Sequence, residues 1–154
     1  MNLFSVLCFY IFAIVISIED LRNFRISNRL LLVFFFVLFS ESLISGNLNR
    51  QVFSGVFFLL VFSVIHLVGR FTASKGSIGI GDIKLIGVLT FGYVNLGFRS
   101  VEIFLISLCL ALLAQIGLEF IRNRKLVSRI AMAPSIFLAI ALYLYAPLGL
   151  LLPQ

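Results

Sequence analysis

The chain has 154 residues, 62% of them hydrophobic and 12% charged, with a mean hydropathy of +1.19. Soluble domains carry roughly 25% charged residues, so half that fraction excludes a water-soluble enzyme and indicates an integral membrane protein. The net charge of +6 does not point to nucleic acid, because no basic, aromatic-interleaved soluble segment carries it.

Six apolar stretches follow one another along the chain: residues 3–18, 30–45, 52–69, 85–98, 101–121 and 130–152. They predict an all-α integral membrane protein of about six transmembrane helices, forming a single polytopic domain over residues 1–154. A straight span takes about 20 apolar residues. The first, second and fourth stretches fall short of that, and their helices are expected to run on into flanking polar residues. The first lacks a basic segment before it and a small-residue cleavage site after it, so it reads as a retained helix rather than a signal peptide. The fourth, with Gly87, Gly92 and Gly97, is the weakest span. Cys8 and Cys109 lie inside apolar runs and read as small buried hydrophobes, not as a disulfide or metal ligands.

The connections set the expected orientation. The first carries Arg22, Arg25 and Arg29, the third Arg70, Lys75 and Lys84, and the fifth Arg122, Arg124, Lys125 and Arg129, ten of the twelve basic residues. Arg50 and Arg99 are alone in the second and fourth. Basic residues gather in cytoplasmic loops, so connections one, three and five are expected inside, and both termini outside, in a multi-pass protein of the cell membrane.

The only two aspartates, Asp20 in "SIEDLRN" and Asp82 in "GSIGIGDIKLIG", both fall at the ends of spans facing that side. Two carboxylates held close cannot both ionise. One stays anionic and can activate water, while the other donates a hydrogen bond to a carbonyl. Gly79 and Gly81 before Asp82 permit positive φ or close backbone approach, and either property suits a loop that aims a carboxylate beside an extended peptide. A plainer reading remains open: Asp20 solvates a helix end among arginines, and Asp82 is a helix N-cap. Lys84 either tunes Asp82 or snorkels to lipid phosphates. Glu19 reads as solvated, Glu41 and Glu102 as too far off, and Glu119 as a reserve candidate. His66 reads as an interhelical hydrogen-bonding residue.

"GIGDIKLIG" resembles the GxGD-x-K signature of the prepilin peptidases. "DLRNFRISNRL" resembles their upstream motif of an aspartate followed by Ile-Pro-Asn, with Ser27 in place of proline. "APSIFLAIAL", residues 133–142, resembles their C-terminal apolar stretch. The resemblance implies that Asp20 and Asp82 are the catalytic pair of an aspartic endopeptidase, supported by Gly79, Gly81, Lys84, Ile26 and Asn28, with no metal and no cofactor. It implies as substrate a membrane-inserted prepilin or pilin-like protein, cut before its hydrophobic helix within the lipid bilayer's cytoplasmic boundary. The sequence contains no Cys-x-x-Cys pair. It is therefore similar to the short form found with tight-adherence pilus systems, and nothing supports the methyl transfer performed by larger members. Alternatives are an archaeal-type preflagellin peptidase or another GxGD intramembrane protease. Against the presenilin-like class, Glu19 rather than tyrosine precedes Asp20. A non-enzymatic proton-linked transporter or assembly factor would use the aspartates as proton sites, but no repeat symmetry is present.

Overall fold

The computed structural model describes residues 3–72, 78–123 and 131–145. Among the described residues are six α-helices: α1 (Leu3–Asn23), α2 (Asn28–Ser45), α3 (Leu48–Thr72), α4 (Ile80–Tyr93), α5 (Phe98–Asn123) and α6 (Ala133–Tyr145). Three helical segments are long and apolar enough to cross a membrane, Asn28–Ser45, Leu48–Phe71 and Phe98–Ile121, and only 22% of the apolar window in each is buried within the bundle. Their outer faces carry side chains such as Val64, Leu113 and Leu118, 58%, 66% and 68% exposed. An apolar exterior of this extent matches a hydrocarbon solvent, where helices satisfy their own backbone groups.

As expected, α1 and α2 run past their apolar stretches into polar sequence, α1 as far as Asn23 and α2 from Asn28. Gly46, in the left-handed region at φ 70°, ends α2. The expected sixth stretch begins at residue 130, whereas α6 begins at Ala133; its last part, 146–152, lies outside the described residues. So do Lys75, Arg124, Lys125 and Arg129, on which part of the expected orientation rests.

As expected, the fourth helix also runs past its apolar stretch into the preceding sequence, but it is not among the segments long enough to cross a membrane. It begins five residues earlier than the apolar run, at Ile80, and ends at Tyr93. At 14 residues it is about 21 Å long, short of a hydrocarbon core about 30 Å thick. Its apolar residues face protein: Ile83 and every residue from Leu85 to Phe91 are buried, and α4 packs against α3, α2 and α6. Close approach explains the glycines around it. A Cβ on Gly55 of α3 would lie 2.8 Å from Phe91 Cβ, and one on Gly92 would lie 2.8 Å from Leu38 Cδ1. Small residues thus let α3 and α2 close on the central helix. Its far end is fixed by α3, where the buried Ser54 hydroxyl donates to the Thr90 and Val94 carbonyls at 3.2 and 2.6 Å.

Aromatic contacts lock α1, α2 and α6 together. Phe12 stacks on Phe34 with ring centroids 4.6 Å apart, and Phe9 meets Phe137 edge-on at 5.7 Å. These rings hold the first half of α1 against α2 and α6. The cysteines are not both buried: Cys8 is half-buried, and Cys109 is exposed on the outer face of α5, where a lipid-facing thiol meets an apolar solvent.

Candidate active site

The local chain path explains where each acid sits. α1 ends because Phe24 turns into the left-handed region at φ 50°, the only non-glycine residue with positive φ among those described. For a bulky residue this costs about 1 kcal/mol, and such strain gathers at functional sites. The turn brings residues 25–27 back over the end of α1. There the Ser27 N–H donates to Glu19 Oε2 at 3.4 Å, so Glu19 is not merely solvated; it ties down the connection to α2.

Asp20 is 4% exposed. Its Oδ2 accepts the backbone N–H of Ala133 at 2.9 Å, the first residue of α6. The carboxylate therefore caps a helix N-terminus from another element, where unpaired N–H groups and the helix dipole favour an anion. Pro134 follows in that first turn, where its missing N–H leaves nothing unpaired. α5 braces the same turn: Gln115 Nε2 donates to the Ala131 carbonyl at 2.6 Å, and the Ser135 hydroxyl donates to Gln115 Oε1. A Gln115→Leu variant would strand both partners, Ser135 being fully buried. Destabilisation of about 2 kcal/mol is expected, read as a fall in Tm in detergent, while substitution of the exposed Leu113 leaves Tm unchanged.

Asp82 is not an N-cap. Gly79 holds that position, at φ −65° and ψ 143°, and Asp82 is the third helical residue. From there its carboxylate reaches back to a backbone hydrogen bond with Gly79, the geometry in which an acid at this position closes a helix start. Gly79 is therefore not needed for positive φ; it is needed for space, since a Cβ there would lie 2.7 Å from Asp82 Oδ2. A Cβ on Gly81 would only touch Ile26, at 3.4 Å from its Cβ. The loop before the helix is pinned by His66 of α3, whose Nδ1 lies 2.7 Å from the Ile78 carbonyl oxygen. A carbonyl only accepts, so Nδ1 carries the proton. The sequence predicts that His66 hydrogen-bonds between helices; it does form a hydrogen bond, but to a carbonyl of the segment before α4 rather than to another helix.

All seven residues singled out in the sequence come together. Asp20, Ile26, Asn28, Gly79, Gly81, Asp82 and Lys84 line one cleft of about 390 Å³, with Phe24, Arg25, Ile80 and Met132 completing it. Lys84 Nζ donates to Asn28 Oδ1 at 3.1 Å, so the lysine of one motif is tied to the asparagine of the other. Both acids lie outside the three segments that are long and apolar enough to cross a membrane. Desolvation, and after it the charge of Asp20, push the Asp82 carboxyl up to about 6, against the pull of the Gly79 hydrogen bond. Asp20 is raised by desolvation, opposed by the Ala133 N–H, with the Glu19 charge adding to the rise.

The remaining acids do not join the cleft. Glu41 accepts from the Ser5 hydroxyl and lines a separate polar cavity of about 430 Å³ with Tyr93 and Asn95. It sits 13 residues along α2 from Asn28, about 20 Å away. Glu102 is near the start of α5, and Glu119 does not line the cleft. Sequence reading missed the parts of the site that act through the backbone: the Ala133 N–H, the Phe24 turn, and the Gln115 brace. The one available signal was proline at the head of "APSIFLAIAL", which marks a helix start.

No curated protein and no solved structure matches the chain. The type IV leader peptidase family matches it over residues 7–116, a stretch holding both aspartates and every motif residue around them. That span is well over half of the protein, and the chain belongs to the type IV leader peptidase family.

Proposed function

We propose that this protein is a multi-pass aspartic endopeptidase of the cell membrane that removes the leader of a prepilin or pilin-like protein. Asp20 and Asp82 are its catalytic pair, and the cleft opens at the cytoplasmic boundary, with both termini outside. The orientation rests on the basic residues of the first, third and fifth connections. The observation that carries the activity is that both aspartates line one cleft, where burial and the charge of Asp20 push the Asp82 carboxyl up.

The two environments support an assignment of roles. Asp82, pushed up to about 6, holds the shared proton. Asp20, its Oδ2 bonded to the N–H at the head of α6, is the anion. A water between them gives its proton to Asp20 as its oxygen attacks the scissile carbonyl, and Asp82 donates to the developing oxyanion. Collapse of the tetrahedral intermediate breaks the C–N bond, and the proton held by Asp20 passes to the leaving amine. As the carbonyl re-forms, the hydroxyl proton of the intermediate returns to Asp82, which restores the singly protonated pair. Gly79, Gly81 and Ile26 shape the wall along which an extended leader lies, and the Lys84–Asn28 bond joins the two motif-bearing segments.

The test is cleavage of a purified prepilin by the protein in proteoliposomes, followed across pH. Only the singly protonated pair is competent, so kcat/KM is expected to be bell-shaped, with limbs that belong to the pair. Activity falls as pH rises through about 6, where Asp82 loses its proton. It falls again at lower pH, where Asp20 gains one. A prepilin left intact at every pH overturns the activity, and a flat profile overturns the pair.

A further inference from the structure

An apolar furrow of about 360 Å³ runs down the outside of the bundle between α2 and α3, with α4 as its floor. Each helix contributes residues at i, i+4 spacing: Leu31, Phe35 and Phe39 from α2, Val52, Val56 and Leu60 from α3, and Lys84 and Val88 from α4. Eight residues of α2 or α3 span about 12 Å, or two turns. Ridges of this spacing are what another helix packs into. The furrow is not isolated. Lys84 lines both it and the cleft of the two aspartates. Leu31 lies one turn beyond Asn28 of the cleft, so the furrow begins at the acids and descends along α4 toward Phe91.

We propose that this furrow docks the hydrophobic helix of the substrate, which rests on the leader-peptidase reading above. The polarity changes where the substrate's must. A chain seated with its cut site at the aspartates has a polar leader on one side of that bond and an apolar helix on the other. The cleft carries Asp20, Asp82, Arg25 and Lys84, whereas below Lys84 the furrow is lined by carbon alone apart from backbone. A lipid acyl chain would fill the lower part equally well, but it gives no reason for the furrow to open into the acids. The first eight or so residues of the helix occupy the furrow, with a repeat of three to four residues facing α4.

The experiment compares two substrates of the reconstituted protein: a full prepilin, and a short peptide that spans the cut bond and lacks the helix. Val56→Trp and Leu60→Trp obstruct the furrow from its rim, where the native side chains are 51% and 58% exposed. Cleavage of the prepilin is expected to fall about tenfold through KM, with the short peptide cut as by the wild type. Prepilin cleavage unchanged, or both substrates slowed alike, overturns the docking site and leaves the peptidase reading standing. If the wild-type protein cuts neither substrate, the peptidase reading itself fails. A second measurement does not depend on the tryptophan variants folding. In an Asp82→Asn background lacking Cys8 and Cys109, Leu60→Cys is paired with single cysteines through the substrate helix. Disulfides recurring every three to four positions are expected, and none with Leu113→Cys on α5. No periodic disulfide at position 60, the result if lipid alone fills the furrow, overturns the proposal.

Discussion

Asp20→Asn and Asp82→Asn are each expected to lower prepilin cleavage by about 10³-fold, because general acid and general base contributions of that order are lost together when either group is removed. An amide at position 20 cannot take the proton of water, and one at position 82 leaves Asp20 with no partner that shares a proton. The double variant is expected to be no worse than either single one, as for groups that act as a unit. Fold stability moves the other way at position 82. The raised carboxyl favours the folded state fully at pH values below its unfolded pKa, about 3.9. That contribution is lost as pH rises through about 6. At pH 7 the ionised Asp82 is thus a burden on the fold, and Asp82→Asn should relieve it by about 1–2 kcal/mol after allowance for solvent screening. An inactive variant with a higher Tm at pH 7, and no gain at pH 4, is the expected signature. A variant that cuts at near the wild-type rate would remove that aspartate from the mechanism.

Gly79→Ala is expected to cost about 10²-fold in kcat, with unchanged helical content and a fall in Tm no larger than that of one lost helix cap, about 1 kcal/mol. Alanine adopts the backbone of Gly79 without strain, at φ −65°, but its Cβ would sit 2.7 Å from Asp82 Oδ2. The carboxylate must move and lose its bond to the Gly79 backbone, and displacements of about 1 Å at reacting groups carry losses of that size. Gly81→Ala is the matched comparison. Its Cβ would rest 3.4 Å from Ile26, an ordinary contact, and alanine favours the helix, so activity within a few-fold of wild type is expected with a small gain in Tm. Measuring kcat for both variants separates space for the carboxylate from backbone freedom as the reason for the motif. Equal losses at both positions would mean the glycines serve the peptide chain rather than Asp82.

The contrast between those two glycines shows where sequence reading stops. "GIGD" reads as flexible from its composition, yet neither the backbone angles of Gly79 nor the helical setting of Gly81 uses glycine's freedom. What matters is the side chain three residues on, which only the folded loop reveals. In the same way Glu19, one residue from Asp20 and turned away around α1, reads as a solvated acid until the Phe24 turn carries the Ser27 N–H back to it.

Composition and order alone determined that this is a helical membrane protein, that Asp20 and Asp82 stand near the ends of helices, and which residues flank them. These properties are local or statistical: apolar runs reflect burial in lipid or protein, and motifs are contiguous in the chain. Tertiary structure alone decided that α4 is a short central helix, since an apolar run reads the same whether protein or lipid surrounds it. It also decided that Asp20 caps α6, 113 residues away, and that the lysine of one motif meets the asparagine of the other. A backbone N–H donor has no sequence signature, and the approach of α1, α2 and α6 depends on packing between helices, such as that of Phe9 and Phe34 on Phe137, rather than on any periodicity within one helix.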